Sequence, residues 1–125
     1  MIIVPTYLHN SPIHGFGVFA KTFIPKGTKV WEFHEKLDLR FSPEEFAALP
    51  PSVREEIEIH MYEPEAGGAY YYETTMGKYM NHSRSPNVDF GAVNVGVATR
   101  DIQPNEELTC DYRQFMHSCE GIDYI

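Results

Sequence analysis

With 125 residues, 42% of them hydrophobic, the chain is sized for one small folded domain with a single core, not for a disordered segment. A formal net charge of −8 argues against a nucleic-acid surface, which needs clustered Lys and Arg. It leaves either simple solubility or a basic partner such as a Lys-rich peptide.

No apolar run is long enough to cross a membrane, and the start lacks the basic head and long apolar stretch of a signal peptide. Cys110 and Cys119 are too few for a disulfide scaffold or a four-thiolate zinc site, which points to reduced thiols in an intracellular protein, cytoplasmic or nuclear. His117 and Cys119 lack two good companions, so no metal site is expected.

Along the chain, Ile2–Val4 is a β-branched run and reads as a first strand. Ser11-Pro12 marks a turn, Val18–Ala20 a strand, Pro25–Gly27 a turn and Lys29–Phe33 another strand. Leu37, Leu39 and Phe41 alternate with polar residues, as in a half-buried strand. A helical insertion follows over about 42–62. Ser42 caps it, Pro43 takes the first helical position and Glu45 completes a capping box. Pro50-Pro51 ends that helix. Ser52 to Glu55 repeats the box spacing, with Val53, Ile57 and Met61 on one face of a second helix.

Beyond a loop over Glu63–Gly68, Ala69–Tyr72, Val88–Phe90, Ala92–Ala98 and Leu108–Tyr112 read as strands, with Val93, Val95 and Val97 on one face. The tail 113–125 carries Phe115, Met116, Ile122 and Tyr124. Residues 20–30 can be laid over 98–108 so that Gly27 and Asn105 coincide, and both types tolerate positive φ. This predicts two similar strand–turn–strand units.

Three segments carry candidate chemistry. In His14–Ala20, Gly15 and Gly17 flank Phe16 and permit close backbone approach to a ligand, or simply a turn leading into a strand. In Lys78–Asn87, Asn81, His82 and Ser83 form a polar knot between an apolar pair and an X-Pro turn. Buried polar groups need partners, from backbone or from a ligand. The segment Glu106–Tyr112 ends in a Tyr directed either toward the knot or into ordinary packing.

In this order and with these contents, the three segments resemble the SET-domain family of protein lysine methyltransferases. The carriers are His-Gly-Phe-Gly-Val-Phe-Ala, Tyr79-Met80-Asn81-His82-Ser83 with Pro86-Asn87, and Glu107-Leu108-Thr109-Cys110-Asp111-Tyr112. The resemblance covers nearly the whole chain. It implies a mainly β fold, the SET-domain β-clip of short sheets, whose C-terminal segment threads past Asn81–Ser83 as a pseudoknot.

It further implies S-adenosylmethionine on one face, a lysine of a protein or peptide on the other, and a channel between them; S-adenosylhomocysteine is the product. Gly15, Phe16, Gly17, Asn81, His82 and Tyr112 would contact the cofactor, and Lys78, where the family often has Arg, would sit near its carboxylate. Tyr112 would be catalytic.

The sequence departs from the family in places. Phe33 stands where a channel Tyr is common, Phe90 falls at another Tyr-bearing position, and Cys110 replaces a Phe or Tyr that limits methyl number. The extra room favours di- or trimethylation. The Cys-rich zinc-binding flanks of many relatives are absent. Phe115 or Tyr124 is then either an aromatic lid or ordinary tail packing. Glu55, Glu56 and Glu58 either attract a basic peptide or form a solvated helix face. The alternative to an active enzyme is a SET-like peptide-binding module without turnover. Both readings fit a monomer or a homodimer.

Overall fold

A computed structural model describes residues 1–92 and 94–120. Val93, Ile122 and Tyr124 lie outside the described residues. In chain order the elements are β1 (Thr6–Asn10), β2 (Phe16–Ala20), β3 (Lys29–Glu32), β4 (Asp38–Phe41), α1 (Pro43–Ala47), α2 (Pro51–Ile57), β5 (Tyr70–Glu73), β6 (Asn81–His82), β7 (Val88–Asp89), β8 (Val95–Ala98) and β9 (Glu107–Cys110). Short 3₁₀ turns cover Glu58–His60, Met76–Tyr79 and Tyr112–Gln114.

The strands form three small sheets, ordered β1-β2-β9-β6, β3-β8-β7 and β4-β5. All pairings between these strands are antiparallel except β6 with β9, where Asn81 lies beside Thr109 and His82 beside Cys110. That parallel contact brings the Asn-His knot against the C-terminal segment, as a mainly β SET-type architecture requires.

The repeat seen in the sequence is a physical pseudo-dyad. Ala20 donates its N–H to the Glu106 carbonyl at 3.0 Å, and its counterpart Ala98 donates to Thr28 at 2.9 Å. Gly27 donates to Ala98 at 2.8 Å, and Asn105 to Ala20 at 2.7 Å. At the centre, Ile24 and Ile102 exchange both backbone bonds, at 2.9 and 2.8 Å, and both side chains are buried. Each unit therefore receives the end of the other. Gly27 and Asn105 sit at φ 85° and 69°, the left-handed region that these two residue types tolerate best. Val18, Val30, Val88 and Leu108 complete the fully buried centre around this contact.

The helical insertion forms with one correction. Ser42 Oγ accepts from the Glu45 N–H at 3.0 Å, and Glu45 Oε1 accepts from the Ser42 N–H at 2.8 Å, so the first capping box is present. The second is not: α2 starts two residues earlier than a Ser52 cap would place it, at Pro51, with Pro50 as an N-cap that has no side-chain acceptor. Proline's fixed φ starts the helix before Ser52 can cap it. The helical path then tightens at Glu58–His60 and becomes extended at Met61, so Val53, Ile57 and Met61 do not share one continuous stripe.

The first strand also lies further along than expected. Ile2 makes only an isolated bridge to Trp31, and the hairpin strand is Thr6–Asn10. The last strand stops at Cys110. Asp111 then accepts the Arg113 N–H at 3.0 Å and starts a 3₁₀ turn, which carries Tyr112 out of the sheet.

Ile102→Ala should lower unfolding stability by about 2–5 kcal/mol, because a buried residue at the dyad leaves a cavity. Ile59→Ala, at a side chain 75% exposed, should leave the urea midpoint within about 0.5 kcal/mol of wild type. Equilibrium urea unfolding of the two variants checks both.

Candidate active site

The site is built on one carboxylate. Glu107, on β9, accepts Ser11 Oγ–H with both oxygens, at 2.8 and 2.9 Å, and Asn81 Nδ2–H at 3.0 Å. The same Asn81 amide donates to the carbonyls of His14 at 2.9 Å and Phe16 at 3.1 Å. Loop 11–16, β6 and β9 are thereby tied at one point. Gly17 is required there, because a Cβ would run into the Glu107 carboxylate. Asn87 braces the other side of β9. It donates from Nδ2 to the Glu107 carbonyl at 2.8 Å and accepts from the Thr109 N–H at 2.8 Å.

This knot borders a groove of about 950 Å³. Gly15, Phe16, Lys78, Asn81, Phe90, Cys110 and Tyr112 all line it, although they come from three distant segments and β7's flank. At the glycine end, Phe16 is 51% exposed and meets Tyr79 edge-on at 6.0 Å. The Lys78 ammonium donates to Tyr72 Oη at 3.0 Å and lies 5.0 and 5.6 Å from the Tyr72 and Tyr79 rings. His60 reaches in from the insertion, 4.8 Å from Tyr79. Burial lowers its pKa first, and the Lys78 charge lowers it further.

At the other end, Tyr112 donates its hydroxyl to the Met80 carbonyl at 2.7 Å. Its own N–H is accepted by His82 Nδ1 at 3.1 Å. Phe115 touches the rings of Tyr112, Phe90 and Tyr62 at 5.8, 5.4 and 5.5 Å, so it packs within the groove wall. Burial raises the pKa of the Cys110 thiol well above the usual range, and Asp111 and Glu73 raise it further, so the thiol stays neutral.

Gly17, His82 and Phe33 do not line the groove. Gly17 lies beneath the loop against Glu107. The His82 ring packs behind Tyr112 at 5.3 Å, and its buried Nε2 has no hydrogen-bond partner. Phe33 packs against the core and meets Tyr71 edge-on at 6.2 Å. Among the described residues no cluster of three His, Cys, Asp or Glu suits a metal, and His117 is paired with Glu63 at 3.1 Å. No helix among them is long and apolar enough to cross a membrane.

Two residues escaped the sequence reading. Glu107 was visible only as part of a motif, and the role of Glu73 in the groove wall was not visible at all. Both act through contacts with residues more than twenty positions away.

Comparison with known proteins agrees with the fold. The sequence profile described as the SET domain matches residues 15–113. Among curated proteins the chain has no match. A Chaetomium thermophilum Polycomb Repressive Complex 2 bound to GSK126 is similar with a TM-score of 0.68 at 18% identity, over 92% of this chain and 16% of that one. A humanized mutant of that complex, also bound to GSK126, gives a TM-score of 0.66 at 20% identity, over 92% of this chain and again 16% of that one. A Plasmodium falciparum protein described as a candidate histone methyltransferase gives 0.60 at 22% identity, over 94% of this chain and 98% of that one. At these identities the likeness is one of fold.

Glu107→Ala should free loop 11–16. Amide exchange there should quicken by about tenfold or more, as expected from loss of a half-buried hydrogen-bonded carboxylate, while β3 and β8 keep their protection. Hydrogen exchange by mass spectrometry reads both.

His82 gives a pH signature. Burial lowers its pKa more than Asp111 raises it, so the unfolded chain binds a proton that the folded one does not. Stability should be full above the ordinary histidine value and fall as pH drops below about 6.5 toward the lower folded pKa. His60 acts in the same direction. His82→Gln should flatten the dependence measured by urea midpoints between pH 7.5 and 5.5.

Proposed function

The chain belongs to the SET-domain family, and from that premise we propose that it is an S-adenosylmethionine-dependent protein-lysine N-methyltransferase. One observation carries the reading. The Gly-x-Gly loop, the Lys78–Asn81 stretch and the Cys110–Tyr112 stretch converge on a single groove. The likeness to a Plasmodium falciparum protein described as a candidate histone methyltransferase makes histone tails the first substrates to assay.

The residues fit the cofactor. A loop whose glycines let backbone approach, an exposed Phe16 ring and a held ammonium at Lys78 suit an adenine nucleoside carrying an amino-acid carboxylate. Gly15, Phe16, Lys78 and Asn81 would hold it at the groove surface, with Gly17 and His82 supporting them from behind. When bound, S-adenosylmethionine supplies an electrophilic methyl group on a sulfonium.

The chain's own work is to deliver a neutral amine in line. A free lysine, with a pKa of about 10.4, is mostly protonated near neutrality. Removal from water disfavours the ammonium, and a fixed approach replaces translational freedom. Tyr112 is the group to fix that approach. Donation to the Met80 carbonyl sets its hydroxyl and makes its oxygen an acceptor for an amine N–H. The Met80 carbonyl and its neighbours supply acceptors for weak CH···O contacts. Cys110 and Phe90 bring no hydroxyl to the wall, which leaves room for an amine already carrying methyl groups and favours di- or trimethylation.

Tyr112→Phe should reduce methyl transfer about 100-fold or more while cofactor affinity stays unchanged. Radiolabel transfer to histones and a cell lysate, with calorimetry for the cofactor, checks this. An intact rate removes Tyr112 from the catalytic role. Cofactor-free peptide binding with no transfer to any protein supports the peptide-binding module instead.

A further inference from the structure

We propose that Glu73 makes the groove a trap for an alkylammonium cation, so that the protein binds methylated lysine as a charged ligand and retains it. This deepens the methyltransferase reading and rests on it for the identity of the ligand.

Glu73 closes β5 and lines the groove, yet it is only 5% exposed. Its Oε1 accepts the Trp31 indole N–H at 2.5 Å and its Oε2 accepts Thr75 Oγ1–H at 2.8 Å. Its carboxylate packs on Gly77, where a Cβ would collide with it. These contacts fix the group but bring no positive side chain. Among the described residues the one cation near it is the Met1 amine at 3.9 Å, and that amine is closer to Asp38, at 3.0 Å, which is also buried. Two buried carboxylates therefore share one ammonium. With both ionised, one negative charge is unmatched at the groove wall; Cys110 and Tyr62, which both line the groove, have pKa values raised first by burial and then also by Glu73.

A buried charge without a counter-charge is costly. Here the missing partner is a cation that enters the groove. The rest of the wall suits the same ligand. Trp31, Phe90, Phe115 and Tyr62 follow one another edge-on at 5.4, 5.4 and 5.5 Å, and Tyr112 adjoins Phe115. All of them line the groove. Aromatic faces attract cations, and methylated ammonium most readily, because it is poorly hydrated and apolar at its rim. Once it carries three methyl groups the amine can no longer lose its charge, so a wall holding Glu73 keeps the product that a neutral wall would release.

The test uses N-acetyl trimethyl-lysine amide and its neutral isostere, in which carbon replaces the quaternary nitrogen. Each is titrated by NMR into the whole protein, with and without S-adenosylhomocysteine. Wild type should bind the cation at least tenfold more tightly than the isostere. Glu73→Gln keeps an acceptor for Trp31 and should bring the two affinities within about threefold, mainly by weakening the cation. Equal binding of both probes by wild type, binding of neither, or a preference that survives in Glu73→Gln overturns the proposal. The wild-type comparison stands even if the variant does not fold. A Glu73-dependent preference in a protein that methylates nothing leaves the trap in place and removes the enzyme reading; methylation without the preference does the reverse.

Discussion

The Glu107–Asn81 contact is the constraint on which the site depends. Asn81 has two amide hydrogens, and three acceptors converge on them: two loop carbonyls and the Glu107 carboxylate. Ser11 completes the carboxylate's partners. None of these groups could be buried alone without a penalty of about 1–3 kcal/mol each. Satisfied together, they specify how the Gly-x-Gly loop lies over β6 and β9. The parallel pairing of Asn81–His82 with Thr109–Cys110 then sets Tyr112 beside Met80. The groove's two ends are thus placed by one polar cluster, and hydrophobic packing beneath it supplies stability without choosing the geometry.

Much of this was legible in the sequence where the signal is local. Ser42 and Glu45 form their capping box because both partners lie within four residues. The repeat of 20–30 in 98–108 was legible because Gly27 and Asn105 must occupy the same left-handed position. The three chemical segments were legible as motifs. What failed was local signal overruled by tertiary context. Ile2–Val4 is strand-like, but it makes no more than the Ile2–Trp31 bridge and the Ile3 N–H bond to the Val30 carbonyl at 2.9 Å, while the polar Thr6–Asn10 pairs along its full length with β2. A hairpin edge with one face in water needs few apolar residues. Ser52 lost its cap to the preceding prolines, and Tyr112 left the strand because Asp111 offered the backbone a competing turn.

Some of the candidate site was beyond any sequence reading. Phe33 sits at a position that the family resemblance places in the channel, but it turns toward Tyr71 and the core. Glu73 looks like a solvated strand end in the sequence. Only the fold brings Trp31 from β3, forty-two residues earlier, onto its carboxylate. His60 enters the groove because α2 tightens into a 3₁₀ turn, a change that no capping signal announces.

In the methyltransferase reading proposed above, Glu73 and Tyr112 would impose opposite demands on one nitrogen. In-line attack requires an unprotonated amine, yet lysine arrives from water as an ammonium, and a wholly apolar channel would repel it. A carboxylate in the wall resolves the first difficulty by attracting the cation and worsens the second by stabilising its charge. Burial raises the pKa of Glu73, chiefly by desolvation, and so disfavours its charged form when no cation is present. Its oxygens are already engaged by Trp31 and Thr75, so it acts through its field more than through a direct bond. A field attracts without fixing direction. Direction comes from Tyr112, whose hydroxyl is anchored to the Met80 carbonyl. In that reading, capture and alignment would fall to different residues, one at the end of β5 and one just past β9. Each additional methyl group strengthens the first and spares the second until no N–H remains for the phenol oxygen to accept.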